Sequence, residues 1–213
     1  MNNAKPAGYY SNEREEMLRF IPNDARLVLE VGCGGGIFGS AVKRVSGAEV
    51  WGIEIDDEAA SAAKAKLDKV IVGDVSELIP NMPDRKFDCI VFNDILEHLV
   101  DPFAALIAVK SKLTSKGVVV CSIPNIRYFP ILRGLLVNKQ WKYEDWGVLD
   151  RTHLRFFTKK SIIDTFTELN YEILQLEGIN GINSWKFNLL NTLLLGNISD
   201  TRYMQFACVT RPK

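Results

Sequence analysis

The chain has 213 residues, of which 47% are hydrophobic and 24% charged, a composition typical of an ordinary soluble domain with a sizeable core. Its 26 basic and 26 acidic residues give a formal net charge of zero, which argues against general nucleic-acid binding, because such binding needs a basic surface. No signal peptide is evident at the N-terminus and no apolar run is long enough to span a membrane, so we expect a cytoplasmic protein.

Strands and helices alternate along the first 125 residues. A first helix is predicted between Asn12, which caps it with Glu15, and Pro22, which ends it. Further helices are predicted from the glycine turn to Gly47, over 59–66 and from Pro102 to about residue 113. Apolar runs predict five strands at about 27–31, 48–56, 68–75, 86–94 and 116–125.

This order predicts an α/β fold with a doubly wound parallel sheet covered on both faces. Thr158 caps one more helix to about Leu169, and two final strands are predicted at 171–178 and 202–212. The remaining segments are an aromatic-rich insertion at 124–157, which follows the fifth strand, and an apolar segment at 180–200, in which residues 189–198 are expected to form a buried or interfacial helix. No linker divides the chain, so residues 1–213 are predicted to form one domain.

The four cysteines are far apart and contain no CxxC pair, so buried reduced thiols are expected. They are Cys33, Cys89, Cys121 and Cys208.

The stretch LEVGCGGGIFG, residues 29–39, joins the first strand to a helix. Glycines there let the backbone approach a ligand closely, and residues 34–39 match the G-x-G-x-x-G pattern of dinucleotide sites. By itself, that match is also compatible with an NAD-dependent oxidoreductase. Glu30, however, precedes the glycines, where a carboxylate would repel a pyrophosphate but attract an ammonium or sulfonium group.

Acidic residues also follow the next two strands. Glu54 ends the second strand, where a carboxylate accepts hydrogen bonds from ribose hydroxyls in dinucleotide folds. Asp74 follows the third strand and suits the amino group of adenine, although it is also a good helix cap. The fourth strand leads into NDILEHLVDP, residues 93–102.

Together these motifs resemble those of class I S-adenosylmethionine-dependent methyltransferases. The matching pieces are LEVGCGGG, GIEID, GDV, FDCIVFNDILEHLVDP and GVVVCSIPN, in that order, over about residues 27–125. The resemblance implies a Rossmann-like sheet of seven strands whose last strand, 202–212, is antiparallel. It also implies S-adenosylmethionine as cofactor, S-adenosylhomocysteine as product, and no metal.

The same resemblance implies the cofactor contacts. Glu30, Gly32 and Gly34 would surround the methionine part, and Glu54 would hold the ribose. Asp74 and Val75 would hold the adenine, while Asn93 and Ile95 would lie near the sulfonium. The same motifs add Cys33, Gly36, Ile55 and Asp94.

A second segment, LDRTHLRFFTKKSI at 149–162, is similar to small-molecule methyltransferases of bacterial glycan and sugar biosynthesis, and more distantly to ubiquinone-type O-methyltransferases. Histidine is the usual base near neutral pH, so His153 is the candidate catalytic base; the alternative is a histidine that only holds its own turn. The insertion aromatics at 128–146 either line a pocket for an apolar or ring substrate or pack on the sheet, and most are expected to pack on the sheet. Further substrate-side candidates are Tyr10, His98, Tyr128 and Arg151.

The expected function is therefore methyl transfer to a small acceptor, with O-methylation of a sugar or other glycan or secondary-metabolite precursor favoured. A protein that binds the cofactor without catalysis is the other alternative, because a fold does not fix an activity. Residues 1–22 are expected to form a helical lid. Glu97 is hypothesised to pair with Arg151 or Arg155. A homodimer is possible, and a nucleic-acid partner is not expected.

Overall fold

The structure is a computed structural model, which describes residues 13–213. Its centre is one seven-stranded sheet with the order β3-β2-β1-β4-β5-β7-β6. The first five strands are parallel, and β7 is antiparallel to both β5 and β6. The strands are β1 Leu27–Val31, β2 Glu49–Glu54, β3 Lys69–Val72, β4 Phe87–Asn93, β5 Leu113–Pro124, β6 Tyr171–Gly181 and β7 Tyr203–Pro212.

Eight α-helices lie between or beside these strands in residues 13–213. The doubly wound fold and the antiparallel last strand predicted from the sequence are confirmed. The sequence did not predict α4 and α6. The first has only four residues, and the second has no buried side chain. The helices are α1 Glu15–Leu18, α2 Ile37–Ser46, α3 Asp57–Lys64, α4 Val75–Leu78, α5 Pro102–Ala108, α6 Phe129–Val137, α7 Lys159–Glu168 and α8 Trp185–Leu193.

The sheet separates two hydrophobic cores. Side chains alternate along a strand, so Val28 of β1 belongs to the same core as Phe38 of α2, while Leu29 belongs to the other core together with Leu106 of α5. Helices α1, α2 and α3 cover one face, and α4, α5 and α7 cover the other. Each fully buried aliphatic side chain contributes about 1.5–3 kcal/mol, and this burial on both faces explains why the strands are apolar throughout.

Helix ends follow the sequence signals. Gly47 takes the left-handed conformation after α2, with φ 71°, and Asp101 accepts a hydrogen bond from the Ala104 N–H ahead of Pro102. Thr158 and Ser161 form a reciprocal capping box at the start of α7. The first helix is shorter than predicted, since α1 ends at Leu18, and the predicted cap Asn12 lies outside the described residues.

The expected packing of the insertion aromatics on the sheet is wrong for most of them. Phe157 is buried, but Trp141, Tyr143 and Trp146 are exposed. Trp141 instead packs edge to face with Phe156, at a centroid distance of 5.5 Å, in a segment whose residues 138–146 are exposed. The apolar segment near the C-terminus also lies at the surface.

All four cysteines are buried and free, as predicted. Among the described helices there is none with both the length and the apolar character needed to cross a membrane.

The order of the strands sets the position of the site. The chain leaves β1 towards β2 and β3, and later returns to the other side of β1 to form β4. Loops that follow β1 and β4 therefore diverge and leave a crevice at the carboxyl ends of the strands, where ligands of open α/β sheets bind.

Candidate functional site

A cavity of about 1360 Å³ occupies this crevice. It brings together acidic, glycine and histidine residues that are far apart in the sequence. The predicted site residues that line it are Glu30, Gly32, Cys33, Gly34, Glu54, Ile55, Asp74, Val75, Asn93, Asp94, Ile95, His98 and His153.

The glycine turn forms one wall of the cavity. Gly32 and Gly34 have φ values of 68° and 50°, a left-handed conformation that residues with side chains rarely adopt. A Cβ atom on Gly32 would overlap the Ile95 side chain, which packs directly over it. The glycines thus bring the loop after β1 and the loop after β4 into contact at the base of the crevice.

Glu30 is buried beneath this turn, with 4% of its surface exposed. Its Oε2 has no hydrogen-bond partner among the described residues. Burial, together with the charge of Glu54, raises the pKa of the Glu30 carboxyl to about 8. A backbone hydrogen bond from Gly39 favours the charged form but does not offset the burial. A buried carboxylate with one unpaired oxygen is unfavourable by itself, so this position suits a ligand that carries a positive charge.

Glu54 is held by the backbone of two loops. Its Oε2 accepts a hydrogen bond from the Gly34 N–H at 2.7 Å, and Oε1 accepts from the N–H groups of Ile55 and Asp56 at 2.9 and 3.0 Å. These bonds fix the orientation of the carboxylate at the end of β2. Lone pairs on its two oxygens still suit ribose hydroxyl donors.

Asp74 both caps α4 and lines the cavity. Its Oδ1 accepts hydrogen bonds from the Ser76 N–H at 2.7 Å and the Ser76 hydroxyl at 2.5 Å. These two bonds lower the pKa of the Asp74 carboxyl. The capping alternative is therefore confirmed, and it leaves Asp74 charged beside the site.

Asn93 and Asp94 follow β4 with different surroundings. The side-chain oxygen and nitrogen of Asn93 are buried and have no hydrogen-bond partner among residues 13–213. Asp94, with φ 54°, accepts from the Ser122 hydroxyl at 2.9 Å, from the Gln205 amide at 2.7 Å and from the Arg14 guanidinium. The sequence analysis missed these three partners because they come from the residue before α1, from β5 and from β7, which are far apart in the chain.

His98 and His153 also line the cavity, and their ring centroids are 4.6 Å apart. The Nδ1 atom of His153 lies 3.1 Å from the Val148 carbonyl oxygen, and Nε2 lies 3.9 Å from Oε1 of Glu97. Nδ1 of His98 lies 3.3 Å from the Thr152 carbonyl oxygen, so His98 also braces the loop that carries His153.

Glu97 is the main site residue that the sequence analysis misplaced. Its side chain faces His153, with 1% exposed, and the guessed ion pairs with Arg151 and Arg155 are wrong. Arg151 pairs with Asp145 at 2.7 Å, and Arg155 donates its backbone N–H to the Glu97 carbonyl oxygen. Burial, followed by the negative charge of Asp94, raises the pKa of the Glu97 carboxyl well above its usual value.

Several predicted residues lie elsewhere. Gly36 packs against α3, since a Cβ atom there would come 3.0 Å from the Ala63 backbone, and it does not line the cavity. Arg151 and Tyr128 are also absent from its lining, and Tyr128 precedes the first turn of α6. Tyr10 and most of the predicted lid at 1–22 lie outside the described residues.

Comparison with known proteins agrees with this geometry. A family model described as "Methyltransferase domain" matches residues 7–176 of the chain. A solved structure of a SAM-dependent methyltransferase from Archaeoglobus fulgidus superposes with a TM-score of 0.67 at 20% identity, covering 92% of this chain and 90% of that one. That likeness supports the fold.

Two curated relatives show how far the similarity reaches. A ubiquinone biosynthesis O-methyltransferase of Xanthomonas campestris is 34% identical over 193 residues, which is 87% of this chain and 76% of the relative. A ribosomal protein L11 methyltransferase of Thermosipho africanus is 32% identical over 126 residues, which is 57% of this chain. The chain spans only 46% of the length of the latter relative.

Proposed function

The chain belongs to the S-adenosylmethionine-dependent methyltransferases, and on that premise we propose that it methylates a hydroxyl oxygen of a small molecule. The observation that carries the proposal is one cavity with two chemically different sides. The glycine turn, Glu30 and Glu54 form one set of its lining residues, the cofactor side, and His153 with Glu97 forms a second set, the acceptor side. The first side suits the cofactor and the second suits the acceptor.

The cofactor side has polar groups placed for a cationic nucleoside. S-adenosylmethionine, when bound, supplies a methyl group on a sulfonium whose sulfur leaves as a neutral thioether. Glu30 would pair with the ammonium of its methionine part, and Glu54 would accept from the ribose hydroxyls. Asp74 and Val75 would border the adenine, and Asn93 with Ile95 would face the sulfonium.

The acceptor side offers a proton acceptor. If Nδ1 of His153 donates to the Val148 carbonyl, Nε2 carries the lone pair and faces Glu97. His153 would take the hydroxyl proton while the oxygen lone pair forms the bond to the methyl carbon and the carbon–sulfur bond breaks. The cavity would add positioning of the acceptor against the methyl group.

Oxygen is favoured as acceptor because a hydroxyl needs a base, and because several curated relatives are described as O-methyltransferases. A sugar or glycan precursor stays a prediction from the 149–162 segment. Because the chain belongs to the methyltransferases, an NAD-dependent oxidoreductase is no longer needed to explain its glycine turn. Binding of S-adenosylmethionine without catalysis is the alternative that only an activity measurement separates.

The test is transfer of a labelled methyl group from S-adenosylmethionine to a panel of sugars, phenols and amines. We expect label on a hydroxyl compound, and a loss of kcat of about 100-fold or more in His153→Asn with little change in cofactor affinity. The Asn amide retains a donor for the Val148 carbonyl, so this variant removes Nε2 alone. Label on amines only would contradict the proposal, and no transfer by protein that binds the cofactor would favour the non-catalytic alternative.

A further inference from the structure

The charged side chains that line the cavity are strongly unequal in sign. Arg14 is the only lysine or arginine among the lining residues that the structure describes, and it is paired with Asp94 and Glu16. Eight of the described lining residues are acidic, and two of them, Asp101 and Asp150, come from the two segments that carry the histidines. A phosphate or carboxylate on the acceptor would therefore be repelled, because acids outnumber cations around it.

Glu97 is an unsatisfied hydrogen-bonding group on the acceptor side. Its side chain is 1% exposed, and neither carboxyl oxygen has a hydrogen-bond partner among the described residues. Burial raises the pKa of this carboxyl well above its usual value, which favours the protonated form. A protonated carboxyl both donates and accepts hydrogen bonds, so hydroxyl groups, which do the same, are suitable partners for it.

The spacing of Glu97 and His153 suits two adjacent hydroxyls of one ring. Nε2 of His153 lies 3.9 Å from Oε1 of Glu97. When one hydroxyl donates to Nε2, its neighbour on the same ring is therefore within reach of the Glu97 carboxyl. Adjacent hydroxyls would satisfy both side chains at once, whereas an isolated hydroxyl would leave the buried Glu97 without a partner, which is unfavourable.

Trp146 adds a flat apolar surface to the lining of the cavity. Its side chain is 59% exposed, which is unusual for a tryptophan. The loop that carries it is closed at its base, where the Arg151 N–H donates to the Glu144 carbonyl oxygen at 2.9 Å. Two residues after Trp146, the carbonyl oxygen of buried Val148 lies 3.1 Å from Nδ1 of His153. The same short loop thus presents the indole and orients the base.

We propose that the acceptor is a sugar ring without phosphate or carboxylate groups, which stacks on Trp146 and presents two adjacent hydroxyls to His153 and Glu97. This rests on the proposed function, whose acceptor it specifies. The C–H face of a sugar ring packs on the electron-rich face of an indole. Its remaining hydroxyls can donate to acidic oxygens such as those of Asp101 and Asp150. A catechol also stacks on an indole, but it has no further hydroxyls for these acids.

Calorimetric titration of the complex with S-adenosylhomocysteine tests the proposal without turnover. The probes are the methyl glycosides of glucose, galactose and mannose, each compared with its uronate. We expect binding of one or more neutral glycosides, with an affinity about tenfold or more above that of the matching uronate. Trp146→Ala should weaken this binding about tenfold or more, and Trp146→Phe should lie in between. The matched control is Trp185→Ala, because Trp185 is 70% exposed on α8 and is not among the lining residues, so it should bind as the native chain does.

Transfer of a labelled methyl group to the same glycosides separates this proposal from the proposed function. Trp146→Ala should raise KM about tenfold or more while kcat changes by less than about twofold. Asp101→Asn keeps the cap of α5 and should reduce the preference for neutral sugars over uronates about threefold or more.

Three results would overturn the sugar acceptor and leave the proposed function standing. They are transfer to catechols with no binding of any neutral glycoside, uronates that bind as tightly as neutral glycosides, and equal affinity in Trp146→Ala and the native chain. Binding of a neutral glycoside without methyl transfer to it would instead support the sugar site and contradict the proposed function.

Discussion

Glu30 illustrates at the scale of one residue how a site is made at the expense of stability. The buried carboxyl group of Glu30 stays protonated and neutral in the ligand-free protein up to a pH near its pKa of about 8. A cationic ligand favours the ionised form, so Glu30 serves binding better than folding. The sequence predicted Glu30 as a ligand residue from its place before the glycines, but its unpaired oxygen depends on how α2 packs against β1.

The pH dependence of stability follows from this shift. The native state holds the Glu30 proton between pH 4.5 and about 8 while the unfolded chain releases it, so the free energy of unfolding falls as pH rises through that window. The contribution is about 1.4 kcal/mol per pH unit. Glu30→Gln should lack this slope and be more stable than the native chain near the top of the window. Denaturant unfolding at several pH values measures it, and parallel curves for the two proteins would contradict it.

Gly32 is a second residue whose identity is set by its surroundings. Gly32→Ala places a methyl group on the Ile95 side chain in a left-handed backbone, so we expect a loss of about 2–4 kcal/mol in the free energy of unfolding. The control is Gly47→Ala, which has a similar φ but nothing within 4 Å of the added atom. Equal losses in the two variants, measured by denaturant unfolding, would show that the contact with Ile95 is unimportant.

At the scale of elements, local signals account for most of the structure. The glycine turn, the caps of α5 and α7 and the apolar strands were all predicted, because each depends on neighbouring residues. The helix α6 was not predicted, although a proline in its first turn suits a helix start, because none of its apolar side chains is buried and no amphipathic pattern marks it. The pairing of Glu97 with His153 was missed because the two segments meet only in the folded chain.

The cap of α7 gives a prediction for an element. Thr158→Ala removes the acceptor of the Ser161 N–H bond and one half of the capping box, so we expect a loss of about 1 kcal/mol in stability. Thr192→Ala is a matched control, since Thr192 lies inside α8 and bonds only back to the Asn188 carbonyl among the contacts described. Thermal or denaturant unfolding checks both, and an unchanged Thr158→Ala stability would contradict the role of the cap.

At the scale of the whole molecule, the most unusual surface is apolar. Leu136 of α6 and Leu189 of α8 are exposed by 75% and 54%, and the two helices meet where Phe129 packs edge to face with Phe187. An exposed apolar surface of this kind often marks an interaction site. The sequence predicted the apolar segment of α8 as a buried or interfacial helix, and the fold shows that Phe187 is buried while most of its leucines are exposed.

The homodimer expected from the sequence stays a prediction that this surface makes testable. If α6 and α8 form the dimer contact, the native chain should sediment as a dimer, and Leu136→Glu with Leu189→Glu should sediment as a monomer of unchanged thermal stability. Charges at an apolar contact oppose association because they must lose water there. Sedimentation velocity decides it, and a native chain that is monomeric at all concentrations would exclude the dimer.

The central claim is that the cavity at the ends of β1, β2 and β4 binds S-adenosylmethionine through Glu30 and Glu54. Calorimetric titration with S-adenosylhomocysteine tests it most directly. We predict one site per chain for the native protein and a loss of about tenfold or more in affinity for Glu30→Gln and for Glu54→Gln, as expected when a charged hydrogen-bond partner is removed. Failure of the folded native chain to bind, or equal affinity in all three proteins, would contradict the claim.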